Sequence, residues 1–67
     1  MKIIYTVTKG GGWCGFIKTL DKKGYTLTSD YYKALSVNSD NKHKTALAIK
    51  HVISEGKHLI IQKIEED

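Results

Sequence analysis

Asn38 to Gly56 reads NSDNKHKTALAIKHVISEG, and the spacing of its apolar residues decides the fold. Thr45, Ala46, Ile49, Val52 and Ile53 recur at three- and four-residue steps, which places them on one face of a 3.6-residue turn. That spacing predicts a helix with this face against a core and Ala48 at its edge. Asn38, Ser39, Asp40 and Asn41 can each cap its start, because a short side-chain oxygen accepts from a backbone N–H that has no helical partner. Lys42 and His43 stand three residues after Ser39 and Asp40, where a capping box would need Glu or Gln. Gly56 suits the C′ position, since it adopts the left-handed conformation that closes a last turn.

Two features of this segment do not serve the helix itself. Lys42, His43 and Lys44 crowd its first turns, where the macrodipole disfavours cations. Leu47 is expected opposite the apolar face, in company with Lys44, Lys50, His51 and Ser54. A basic helix start attracts phosphate or carboxylate, because free N–H groups and lysines pull the same way. The plainer expectation is that the lysines are solvated and Leu47 is a single exposed apolar residue.

Working outward, the remainder of the chain reads as strands and turns. Residues 2 to 8 alternate, with Ile3, Tyr5 and Val7 on one side and Lys2, Thr6 and Thr8 on the other; Ile4 is the exception. Lys9-Gly10-Gly11-Gly12 breaks this strand, and Trp13 to Leu20 reads as the second arm of a hairpin. Regular alternation there puts Phe16, Lys18 and Leu20 on one face and Trp13, Gly15 and Ile17 on the other. Asp21-Lys22-Lys23-Gly24 is a turn, and Tyr25 to Thr28 a short strand. Tyr31 to Val37 is read as extended, the alternative being a helical turn capped by Ser29-Asp30. Lys57 to Glu65 holds three consecutive aliphatics, Leu59, Ile60 and Ile61, which predicts a strand buried on both faces and central in its sheet. The expected fold is α+β in β-β-β-α-β order: a three- to five-stranded antiparallel sheet with one helix packed on one face. Residues 1–67 form a single domain, with 64–67 expected as a mobile acidic tail.

A chain of 67 residues makes a thin core, since a domain of this size buries only about 60% of the surface its unfolded chain exposes. One cysteine rules out an internal disulfide, and no Cys/His spacing suggests a metal staple, so self-association into a homodimer is an open expectation. No run nears the ~18 apolar residues of a membrane helix. MKIIYTVTK is too short and too β-prone for a signal peptide. A cytoplasmic, reducing setting is expected, with no membrane contact.

The chain carries a net charge of +4, and without Glu65, Glu66 and Asp67 its eleven lysines face four acids, a balance of +7 over residues 1–64. Such a balance favours an anionic partner, either nucleic acid or an acidic protein. Every one of these cations is lysine, and lysine lacks the planar fork that reads guanine bidentately, so base-specific readout is not expected.

Candidate chemistry is sparse. The glycine triplet leads into another strand rather than a helix and matches neither phosphate-binding pattern, GxxxxGK[ST] or GxGxxG. It reads as a hairpin loop, longer than a tight turn needs and able to close over a ligand beside Lys9 and Trp13. Cys14 has no signature linking it to His43, His51 or His58 as a base. His43 and His51 are eight apart, not four, which is no metal-ligand pattern. No cofactor, metal or enzymatic activity is expected.

The aromatics Trp13, Phe16, Tyr25, Tyr31 and Tyr32 are interleaved with Lys9, Lys18, Lys22, Lys23 and Lys33, as in surfaces that hold single-stranded nucleic acid. KGGGWCGFI, Lys9 to Ile17, resembles the lysine-glycine-aromatic stretch ending in GFI of cold-shock domains. That family's preceding aromatic strand and its following valine-phenylalanine-valine-histidine strand are missing here, and a long helix stands where it has none. Only Trp13 and Phe16 carry over, as stacking candidates that compete with a place in the core.

Two functions from different classes follow. One is a nucleic-acid-binding module using Lys42, His43, Lys44, Lys50 and His51, with Trp13 and the Lys22-Lys23 turn. The other is a small protein-binding regulator or inhibitor, of the kind phages and mobile elements encode, docking Leu47 and its surrounding lysines on an acidic partner.

Overall fold

The computed structural model of the chain describes residues 1–64. Strands β1 (Lys2–Lys9), β2 (Gly12–Asp21) and β3 (Gly24–Thr28) are followed by a 3-10 turn over Tyr31–Lys33, then β4 (Ser36–Asn38), helix α1 (Lys42–Ser54) and β5 (His58–Ile64). All pairings are antiparallel and make one five-stranded sheet. The fold is therefore α+β in the expected order. The predicted acidic tail, Glu65 to Asp67, lies outside the described residues, while Ile64 belongs to β5 and pairs with Lys2.

The centre of the sheet is β1. Its one edge pairs with β5 from Lys2 to Thr8. Its other edge pairs with β4 over Lys2 to Ile4 and with β2 over Thr6 to Lys9. Ile3, Ile4, Tyr5, Thr6 and Val7 are all buried. This corrects the expectation that the last strand is central: among the described residues β5 pairs with β1 alone and leaves Ile60 47% and Ile61 45% exposed. Three aliphatics in a row suit burial on both faces, but they do not supply the second neighbour that a central strand needs. The break in alternation at Ile4 marked the real centre.

Gly10 and Gly11, both at positive φ, form the whole turn of the first hairpin, and Gly12 already pairs with Lys9. Two successive residues at φ > 0 are what a two-residue type I′ turn requires. The triplet is thus no long mobile loop. In the second hairpin the Asp21 side chain accepts from the N–H groups of Lys23 and Gly24 at 2.8 and 3.1 Å. Between β3 and β4 the chain does not stay extended: Asp30 accepts from the Tyr32 N–H at 2.9 Å and caps the 3-10 turn. The Leu35 N–H then reaches Ile17 O at 2.8 Å.

Helix α1 starts later than Asn38, which belongs to β4; of the four possible caps it uses Asn41, whose side chain accepts from the Lys44 N–H at 3.1 Å. At its end Gly56 takes φ +72°, its N–H bonds Ile53 O, and the Lys57 N–H bonds Val52 O. These are the two bonds of a Schellman close.

The helix is rotated from its expected setting by about one residue, ~100°. Ala48 and Val52 are fully buried and Leu47 packs against the core, whereas Ile49 and Ile53 are 45% and 58% exposed. Polar anchors explain the rotation. The Tyr5 hydroxyl bonds Thr45 Oγ1 at 2.8 Å, Lys44 Nζ donates to Leu20 O at 3.0 Å, and His51 Nε2 meets Asp21 O at 2.8 Å. The last two draw the helix toward β2 and its turn. Ala48, with only a methyl, permits the close approach. The core beneath α1 is Ile3, Tyr5, Val7, Ile17, Leu20, Val37, Ala48 and Val52.

This setting predicts an inverted mutational pattern. Leu47→Asp should cost about 2–4 kcal/mol through lost packing and a carboxylate forced against apolar surface. Ile49→Asp should cost clearly less than Leu47→Asp, since Ile49 lies outside the core cluster. The midpoints of urea unfolding curves check both; equal shifts would contradict the rotation.

Candidate functional site

The helix does not present the basic back that its sequence suggests. Leu47 is in contact with the core and is not an exposed anchor. Lys44 and His51 spend their polar groups on carbonyls of β2. Lys42, His43 and Lys50 remain exposed, but the cluster of which they were to be part is divided. Lys22 and Lys23 are exposed on the β2–β3 turn, where Lys23 lines a hollow with His51.

The other side of the sheet is different. Thr6 and Thr8 of β1 alternate with the core residues Tyr5 and Val7, and their partners are Phe16 and Trp13. Trp13 and Phe16 therefore share the face opposite α1, against the expectation that they point to opposite faces. The cause is a β-bulge. Val7 pairs with Gly15 and Thr8 with Trp13, so Cys14 is an extra residue that shifts the alternation by one. A second bulge at Lys18 does the same: Ile17 and Leu20 both reach the core, while Thr19 and Thr26 join their hydroxyls on the far face at 2.6 Å. Gly15 was the available signal, since a glycine inside a strand marks a bulge or a close approach. It has φ +148°, and a Cβ there would lie 3.2 Å from Thr28 O.

The aromatic residues of this side form a continuous chain. Trp13 meets Phe16 edge-on at 5.3 Å between centroids, Phe16 meets Tyr31 at 5.8 Å, and Tyr31 meets Tyr32 at 5.6 Å. Edge-to-face pairs at such distances each contribute about 0.5–1.5 kcal/mol beyond burial. The 3-10 turn thus stacks on β2 through Phe16, which is half-buried, and leaves its neighbours open: Trp13 is 53%, Tyr31 46% and Tyr32 93% exposed. The strand positions around them are Thr8 with its partner His58, and Thr6 with its partner Ile60. Thr6 Oγ1 donates to Gln62 Oε1 at 2.8 Å. Lys18 and Lys33 are exposed beside this chain in sequence, and Lys9 lies at the adjoining turn. The sequence singles out Tyr31 and Tyr32 as interleaved aromatics; their conjunction with Trp13 depended on the bulge and the 3-10 turn.

A polar hollow of about 300 Å³ lies by the helix end, between Lys23, Tyr25, His51, Ser54 and Glu55. Here the Tyr25 hydroxyl donates to Glu55, whose carboxylate also lies 3.8 Å from Lys57 Nζ. Burial, and then the Glu55 carboxylate, push the Tyr25 phenol up to about 12 from its ordinary 10.0. Cys14 is an exposed free thiol. Among the described residues no group of three or more His, Cys, Asp or Glu is placed to hold a metal ion, and no helix is long and apolar enough to cross a membrane.

No protein-family model, curated protein or solved structure gives a significant match to this chain.

Tyr25 makes a pH prediction. Its folded pKa lies above the unfolded one, so its contribution to stability is complete below about pH 10 and is lost as pH rises toward 12. Tyrosinate absorbance, compared with a Tyr25→Phe variant, should show the Tyr25 phenol titrating late. Glu55→Gln should bring that titration down only in part, because burial is the larger cause.

Proposed function

We propose that this chain is a non-enzymatic module for single-stranded nucleic acid, bound on the sheet face opposite α1. The observation that carries this reading is the run of edge-on aromatics from Trp13 to Tyr32, with three of its four rings open to solvent. Unpaired bases stack on exposed rings, and any base will serve because each has a π face. Lys18 and Lys33, exposed and close to the rings in sequence, are the candidate phosphate contacts, within a chain of +7 over residues 1–64. Lysines of this kind track the phosphate backbone without reading bases. Near the aromatic run the strand residues of this face are threonine, glutamine, histidine and aliphatic, and the two carboxylates at its margin, Asp21 and Asp30, accept from backbone N–H groups of their turns. The reading moves the expected surface from the helix to the sheet and keeps Trp13 from the original set. Lys42 and Lys50, on the other layer, serve as general positive charge, with His43 exposed beside them. An intracellular setting accords with an open Cys14 thiol.

The regulator reading loses its anchor, because Leu47 is occupied by the core. An apolar surface does exist elsewhere, along α1 and β5, and it suits a different partner.

The expected outcome is binding of a labelled mixed-sequence single strand, followed by fluorescence anisotropy at low salt. Trp13→Ala and Tyr32→Ala should each weaken it by about tenfold or more, as stacking contributes about 1–3 kcal/mol per base. Lys42→Ala should change it little. Log affinity should fall with log salt by about 0.7 per phosphate neutralised. Absence of binding at low salt, or binding indifferent to both aromatic substitutions, would refute the proposal.

A further inference from the structure

The free edge of β5 combines three properties that a soluble monomer has reason to avoid. Its backbone on that side has no strand partner among the described residues. It is aliphatic on both faces, with Ile60 toward the aromatic side and Ile61 toward the helix, each nearly half-exposed. Beside Ile61 the rotation of α1 has left Ile49 and Ile53 open, and Ile3, Ala46, Ile49 and Ile61 line a groove of about 330 Å³ with Lys42 and Lys63 at its rim. Natural edge strands are blunted by inward charges, proline or bulges. Nothing of that kind interrupts Leu59-Ile60-Ile61, and β5 pairs with β1 in unbroken register.

We infer that this edge is the interface of a two-fold homodimer, in which β5 pairs antiparallel with β5 of a second copy. Self-complementarity selects this occupant. Overlap of all seven residues of His58–Ile64 puts the two-fold at Ile61, sets Ile60 against Gln62 and Leu59 against Lys63, and buries the aliphatic centre on both faces. The strand is preceded by Lys57 and followed in sequence by Glu65-Glu66-Asp67. In sequence this is a basic start and an acidic end, an order that complements itself only when reversed. Parallel pairing would set like charges side by side. An antiparallel two-fold stands perpendicular to the sheet, so it keeps both helices on one side and both aromatic chains on the other. Ile49 and Ile53 of the two copies then flank the junction. Pairing through one self-complementary edge also closes at two, with no filament.

Sedimentation velocity on the intact chain tests this without nucleic acid, so its result is independent of the proposed function. The expected species has twice the 7.5 kDa chain mass. Ile61→Lys, which places an edge charge of the protective kind, should sediment as a folded monomer, with folding checked by circular dichroism. A second test does not depend on that variant folding. In a Cys14→Ser background, Ile61→Cys should form a disulfide-linked dimer on mild oxidation. Antiparallel partners across a two-fold have Cα atoms about 4.5–5.5 Å apart, within disulfide reach. Lys22→Cys in the same background should stay uncrosslinked. A wild-type monomer at spectroscopic concentration, a species larger than a dimer, a dimer unaffected by Ile61→Lys, or equal crosslinking at positions 61 and 22 would each overturn the inference.

Discussion

Everything in this protein is attached to β1. Its two edges together hold β2, β4 and β5, and its two faces meet α1 on one side and the aromatic layer on the other. Tyr5 concentrates this role. It is fully buried, stands in the middle of the central strand, and ties the helix to the sheet through Thr45. The Thr45 hydroxyl also bonds Asn41 O at 3.2 Å, so the same residue joins the helix cap to the core. In a domain with so little interior, a buried phenol without a partner would be costly, and its hydrogen bond sets where along the sheet the helix can sit.

That tether, with the two carbonyl contacts from Lys44 and His51, explains why the helix was found in the sequence but not its orientation. The periodicity of Ile49, Val52 and Ile53 is real, and a helix exists where it predicts one. Periodicity ranks faces by hydrophobicity alone, however. It gives no weight to a lysine that lays its stem along the sheet and donates its ammonium to Leu20 O, or to Ala48 as the residue that lets two backbones approach. The outcome leaves two isoleucines in solvent and takes in Leu47. Strand order was hidden for a similar reason. Apolar content made β5 look central, while centrality belongs to the strand with neighbours on both edges, a property of pairing that no single segment displays.

The candidate site was legible as a list of residue types and illegible as a surface. Trp13, Phe16, Tyr31 and Tyr32 are visible as aromatics among lysines. That they touch required an extra residue in β2, which overturns strict alternation, and a capped 3-10 turn in place of an extended segment. Charge along the helix is less legible still, because Lys44 and His51 satisfy carbonyls of β2 that the sequence does not reveal. Net charge describes the whole molecule, and only coordinates say which of its cations are already engaged.

The first hairpin holds one residue more than its pairing uses, and the chain stores that surplus at Cys14. If the tip closed over Gly10, Gly11 and Gly12 together, Cys14 would slide opposite Thr8, the strand would straighten, and Trp13 would swing to the helix side. By closing tightly over Gly10 and Gly11 and leaving the surplus at Cys14, the hairpin sets the indole on the face away from the helix.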